Sequence, residues 1–241
     1  MKTLSAANTD TGRKRTNNED AFLIDQELRL YAVADGIGGH SGGEVASRIA
    51  VETLRERVRE DRRERDPGDV LNDAFILGNT RVIEAGATDR GLAGMGTTLT
   101  AVLLKGTSAH LAHAGDSRAY LLREGMLEQV TEDHGVVAEQ VRAGIVTPDQ
   151  ARRSPYRHII TRALGIEREL LVDRRTIELR ENDVLLLCTD GLTEMIEDRE
   201  IERILLSSAL PDAVQGLIAA ANRNGGVDNI TVVVVKVEEL P

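Results

Sequence analysis

Apolar residues change period along this chain, and the changes divide it into elements. Residues 20–25 and 30–34 are short apolar runs joined by Gln26-Glu27-Leu28-Arg29, and they predict a β-hairpin. From 43 to 60 the spacing becomes helical, with Val45, Ala46, Ile49, Ala50, Leu54 and Val58 on one face. Residues 55–66 mix both signs of charge and read as a solvated helix end. Pro67-Gly68 then breaks the chain. Asp69 is placed to cap a second helix to about Arg90, with Leu71, Ala74, Phe75, Val82 and Ile83 on its apolar face.

The middle is strand-rich, with short runs at 97–104, 108–114, 118–123 and 126–131 separated by glycine-containing turns. The character changes at 134–165. Val136, Val137, Gln140 and Val141 suggest a short helix closed by Gly144, and Thr147-Pro148-Asp149-Gln150 reads as a capped helix start. Residues 152–162 are basic and irregular. Strands resume at 170–179 and 183–188, a helix fits 212–221 before Gly225-Gly226, and a last strand fits 230–237. There is no repeat or low-complexity linker. The pattern predicts one domain over 1–241, of α+β class, because gaps of a few residues leave little room for parallel crossovers.

Composition narrows the chemistry. The 241 residues are 41% hydrophobic but only 2% aromatic, so the core rests on Leu, Ile, Val and Ala. A net charge of −10 disfavours nucleic acid or an anionic membrane as partner, though not metal cations. Cys188 is the only cysteine, which excludes an intramolecular disulfide and a cysteine zinc site; it is expected to be a small buried strand residue. The first fifteen residues lack the apolar centre of a signal peptide, and no run approaches the roughly 20 residues of a membrane span. The expectation is a cytoplasmic monomer.

Several aspartates then stand out by position. Asp20 opens the outgoing strand of the first hairpin and Asp35 closes the returning one, so antiparallel pairing puts both at the same open end. Asp190 ends one late strand and Asp228 starts another; if the two pair, these carboxylates share an edge as well. Asp116 sits in the turn Ala114-Gly115-Asp116-Ser117. An aspartate in a glycine turn is ordinarily just turn chemistry. Here each one abuts an apolar strand whose end is fixed by burial, and carboxylates gathered at one edge repel unless divalent cations stand among them. An oxygen-only donor set suits Mg²⁺ or Mn²⁺. The glycines after Asp35 leave room for the Gly36 carbonyl to reach a metal.

These residues resemble, nearly end to end, the metal-dependent protein phosphatases of type 2C in their compact bacterial form. The motifs are Thr11-Gly12-Arg13 with Arg15 and Asn18-Glu19-Asp20; Ala34-Asp35-Gly36-Ile37-Gly38-Gly39-His40; Gly94-Met95-Gly96-Thr97-Thr98; Ala114-Gly115-Asp116-Ser117-Arg118; Thr161-Arg162-Ala163-Leu164-Gly165; Cys188-Thr189-Asp190-Gly191-Leu192; and Gly226-Val227-Asp228-Asn229-Ile230-Thr231. The resemblance implies a four-layer αββα sandwich with two central antiparallel sheets and two Mn²⁺ or Mg²⁺ ions at one sheet edge. It implies that Asp35 bridges both ions, that Gly36 gives its carbonyl to the second, and that Asp190 and Asp228 complete the first. Glu19 and Asp20 match residues that orient metal-bound waters, and Asp116 matches a ligand of a weaker third ion. Arg15 matches a phosphate-gripping arginine. His40 lies where an acid reaches the leaving oxygen, although Ile37 occupies the place of the histidine that follows Asp-Gly in many eukaryotic members. Residues 134–160 match a flap.

The implied activity is hydrolysis of phosphoserine and phosphothreonine in proteins by a hydroxide shared between the metals, without a phosphoenzyme. A serine/threonine kinase and its substrates are the expected partners. Competing chemistries fail on the sequence. Six residues after Cys188 stands Glu194, not the arginine of a cysteine phosphatase. No G-x-x-x-x-G-K-[ST] is present, and Ser41 breaks a G-x-G-x-x-G reading. The non-enzyme alternative is a metal-stabilised module that binds phosphoproteins without turnover; the presence of Arg15 and of every carboxylate speaks against it.

Overall fold

The computed structural model describes residues 1–38, 42–61 and 65–241. Two five-stranded sheets, antiparallel at every pairing among the described residues, stack face to face. One has the order β1 (Lys2–Asp10), β12 (Ile230–Glu239), β11 (Val184–Cys188), β8 (Arg118–Arg123), β9 (Met126–Gln129). The other runs β10 (Asp173–Glu178), β7 (Ser108–Ala114), β6 (Leu99–Lys105), β3 (Leu30–Ala34), β2 (Ala21–Asp25). A two-residue ladder, β4 (Gly36–Ile37) with β5 (Gly96–Thr97), lies beside the second sheet.

The side-chain period of two explains the layers. Along β3, Leu30, Ala32 and Ala34 face α1 (Gly42–Glu60) and α2 (Pro67–Thr88), while Tyr31 and Val33 face the opposite sheet. Along β11, Leu186 and Cys188 face α6 (Asp198–Ser207) and α7 (Leu210–Arg223), while Leu185 and Leu187 meet Tyr31 and Val33 in the middle. Strands buried on both faces must be apolar at every position, which is why these runs do not alternate. The result is the expected helix–sheet–sheet–helix sandwich.

The helices differ from the sequence reading at their edges. The second helix starts at Pro67, with Asp66 as its cap accepting from the Asp69 N–H. The pyrrolidine ring is preorganised for the first helical position, so Pro67 opens the helix instead of breaking the chain, and Asp69 falls inside its first turn. The run predicted at 97–104 divides, because Thr97 pairs with Gly36 and Leu164 before β6 begins at Leu99. Besides the short β4, a 3-10 turn at Arg90–Leu92 and the one-turn α5 (Asp190–Thr193), two longer elements have no counterpart in the sequence pattern. One is β1, whose sequence KTLSAANTD has few apolar positions and pairs along its length with β12. The other is α6, whose Ile201, Ile204 and Leu205 spacing marks a buried helical face. Cys188 is buried among apolar neighbours, and burial pushes its thiol up to about 12.

Residues 134–160 leave the sheets between β9 and β10. They carry α3 (Val136–Arg142) and α4 (Pro148–Arg152), the latter closed by a reciprocal Thr147–Gln150 capping box. Only Val137 of these two helices is buried.

Candidate metal centre

The five aspartates come from both sheets, and each stands where a strand ends. In the hairpin Ala21 pairs with Ala34, so Asp20 and Asp35 flank the same end. In the other sheet Cys188 pairs with Val232, which brings Thr189-Asp190 alongside the residues preceding Ile230. The turn carrying Asp116 joins β7 of one sheet to β8 of the other, so it crosses the sandwich at this edge.

Backbone hydrogen bonds fix the ring of carboxylates. The Asp35 N–H donates to Thr98 Oγ1 (2.8 Å), and its carbonyl accepts from Thr98 N and Thr97 Oγ1 (both 2.9 Å). Thr98 Oγ1 then reaches Ser117 Oγ at 2.7 Å, tying Asp35 to the turn that holds Asp116. Thr189 Oγ1 donates to Asp20 Oδ2 (2.8 Å) and accepts from Thr231 N (3.0 Å). Gly36 donates to the Glu19 carbonyl at 3.2 Å. A Cβ at Gly36 would collide with that carbonyl and with the carbonyl of Gly43, so only glycine fits where hairpin, loop and α1 converge.

The electrostatics are those of crowded acids. Burial, then the charges of Asp20, Asp190 and Asp116, hold the Asp35 carboxyl well above the usual range. Burial and Asp190 do the same to Asp116. Asp20 is pushed up to about 7, mainly by burial, and Asp190 to about 7 by burial with Glu194 and Asp228 nearby. Among the described residues, Asp20 Oδ1, Asp116 Oδ1 and Asp190 Oδ1 are buried with no hydrogen-bond partner. Three orphaned carboxylate oxygens at one edge of the sandwich form a poor protein interior and a suitable hard-cation site. The residues present therefore fit Mn²⁺ or Mg²⁺.

Arg15 is half exposed and donates through Nη2 to Asp228 Oδ2 at 2.6 Å. That bond raises its basicity. Glu19 presents its carboxylate next to Gly43 at the start of α1, held by Asn17 Nδ2 at 3.0 Å. His40 lies outside the described residues.

Three residues enter the site without having been given a role in the sequence reading. Asn229 is buried and threads the 11–19 loop onto β12: its Oδ1 accepts from Glu19 N, and its Nδ2 donates to the Thr11 and Asn17 carbonyls. The signal was available in Asp228-Asn229, since an asparagine before an apolar strand is often a loop fastener. Glu194 and His158 are the others. His158 Nδ1 meets Glu194 Oε1 at 2.8 Å, and with Asp190 they form a compact His-Asp-Glu group. No spacing in the sequence joins 158 to 190.

The family model for protein phosphatase 2C matches residues 9–229. The serine/threonine phosphatase stp of Listeria monocytogenes is 38% identical over 235 residues, covering 95% of this chain and 93% of that protein. The serine/threonine protein phosphatase PstP of Mycobacterium tuberculosis is 42% identical over 233 residues, or 96% of this chain and 44% of that longer protein. A crystal structure of the Mycobacterium tuberculosis PstP superposes with a TM-score of 0.92 at 40% identity, covering 98% of this chain and 99% of that one. The PstP catalytic domain in complex with two manganese ions superposes at 0.90 and 38% identity, covering 98% and 99%. With a family model spanning nearly the whole length and relatives well above 30% identity, this chain belongs to the protein phosphatase 2C family.

Proposed function

We propose that this chain is a Mn²⁺- or Mg²⁺-dependent protein serine/threonine phosphatase whose chemistry sits among Asp20, Asp35, Asp116, Asp190 and Asp228. The carrying observation is the set of three buried, unpartnered carboxylate oxygens at one sheet edge. Asp35, the Gly36 carbonyl, Asp190 and Asp228 would hold two core ions, and Asp116 with a share of Asp190 a weaker third. When bound, divalent ions supply Lewis acidity and lower the pKa of water.

The protein's own residues do the rest. Arg15 offers planar N–H donors to the phosphoryl oxygens, and its partly exposed position lets it exchange Asp228 for substrate. Glu19 and Asp20 accept hydrogen bonds from attacking water; Asp20 is oriented for this by Thr189. Gly36 keeps the floor of the site free of side chains. No cysteine takes part, since Cys188 is buried on the far side of its strand from the sheet–sheet interface. Residues 134–160 act as a flap that tunes the choice of phosphoprotein, with a kinase and its substrates as expected partners. A cytoplasmic monomer is the form we expect; among the described residues, no helix is long and apolar enough to cross a membrane.

The test is turnover of a phosphoserine or phosphothreonine peptide with added Mn²⁺ or Mg²⁺ and after exhaustive chelation. Activity confined to the metal-loaded protein is expected. Full activity after chelation overturns the reading, and phosphopeptide binding without hydrolysis would favour the non-catalytic module.

A further inference from the structure

The first residue of the flap makes a contact that the chemistry above does not use. His134 is almost fully buried, and its ring accepts the Gly115 N–H at Nδ1 (3.1 Å). Its own backbone N–H donates to the Gly115 carbonyl (2.8 Å). Both peptide units of Gly115 are therefore held by one residue, and the second of them is the peptide that leads into Asp116.

Gly115 needs such a clamp. Its φ of +125° lies in the left-handed region, and a Cβ there would strike the Thr98 side chain. A glycine in an open region of φ/ψ space does not fix its own direction. Ser117, hydrogen-bonded to Thr98, secures one side of Asp116; His134 secures the other.

The ring is itself set by its surroundings. Because Nδ1 accepts an amide proton, the imidazole proton must lie on Nε2, which faces Asp173 Oδ2 at 3.0 Å. Arg162 holds the other Asp173 oxygen at 2.8 Å. His113 stacks on the ring at a centroid distance of 4.7 Å. His134 also joins the flap's root: its carbonyl accepts from Thr161 N (2.9 Å), next to the Gly135–Ile160 bridge.

We propose that His134 is a positioning residue that aims the Asp116 carboxylate into the metal centre through the Gly115 amide, with Asp173 fixing its tautomer. This rests on the reading of Asp116 as a functional carboxylate. The acceptor at the δ position is the operative feature. Asparagine places an oxygen near the Nδ1 site and can keep the bond; glutamine reaches toward the Nε2 site and cannot.

The experiment compares His134→Ala, His134→Asn, His134→Gln and Asp116→Ala. Phosphopeptide kinetics are measured across a Mn²⁺ titration, and Gly115 amide exchange is measured in chelated protein. His134→Ala and His134→Gln should lower kcat at least tenfold with KM changed less than threefold. They should raise the Mn²⁺ concentration for half-maximal rate and speed Gly115 exchange at least tenfold. His134→Asn should recover most of both losses. If His134→Ala does not fold, the asparagine–glutamine contrast decides. Equal behaviour of these two, or Gly115 exchange unaltered in His134→Gln, overturns the proposal. Asp116→Ala separates the premises: wild-type turnover there defeats the reading of Asp116 itself, whereas impaired Asp116→Ala beside fully active His134→Ala and His134→Gln defeats only the positioning role.

Discussion

Arg15 and Asp228 are joined by an ion pair of 2.6 Å, so the guanidinium assigned to substrate phosphate rests on a carboxylate assigned to metal. The pair is partly solvated, and exposed pairs of this kind are weak enough to exchange. Arg15→Ala should therefore raise KM for a phosphopeptide by about ten- to a hundredfold, the worth of a lost charge-assisted bond. Mn²⁺ stoichiometry should stay the same. Steady-state kinetics check this; a fall in kcat at constant KM would place Arg15 on the transition state instead.

Asp35→Ala, Asp190→Ala and Asp228→Ala should each abolish turnover and weaken Mn²⁺ binding. None should unfold the protein, because removing one of several mutually repelling carboxylates relieves the crowding that raises Asp35 and Asp190. Calorimetric Mn²⁺ titration and thermal melts in chelator test both halves. Undiminished stoichiometry, or a large drop in melting temperature without metal, counts against the assignment.

Acid should destabilise the fold through His113. Burial, with His134 beside it, pushes this imidazole down to about 4. The Glu132 carbonyl fixes its proton on Nε2, and Thr100 serves Nδ1, so the neutral ring is fully bonded. Below the ordinary histidine value of about 6.5 the unfolded chain binds a proton that the folded chain refuses. The contribution is complete above that value and is lost as pH falls toward 4. Between pH 7 and 4.5 the wild type should lose roughly 2–3 kcal/mol more than His113→Asn. Urea unfolding at the two pH values measures it, and equal losses refute it.

Amide exchange should be fast in α3 and α4 and slow in β12. These two helices bury a single side chain, Val137, while Ile230–Val235 is wholly buried between two neighbouring strands. Exchange as slow at 137–152 as at 232–235 would show that this segment is packed as part of the core and would count against a flap.

Sequence alone determined the elements whose local physics is self-sufficient. The hairpin of β2 and β3, the faces of α1 and α2, the Thr147 capping box and the apolar β11 and β12 runs follow from period, turn chemistry and capping. The alignment of Asp20 with Asp35 follows from a short hairpin, since the turn fixes the register. Motif order carried the family and, through it, the four layers.

Tertiary structure decided what depends on residues far apart in the chain. β1 is a strand because β12 offers an edge, not because KTLSAANTD insists on one. Whether Asp190 and Asp228 meet depended on the β11–β12 pairing, which a sequence poses only as a condition. The Thr98–Ser117, Asn229–Glu19 and His158–Glu194 contacts, and the clamp of His134 on Gly115, join segments 19 to 210 residues apart. Hydrogen-bond partners are chosen by proximity after folding. Periodicity reports which face a residue buries, but it says nothing about which distant atom waits there.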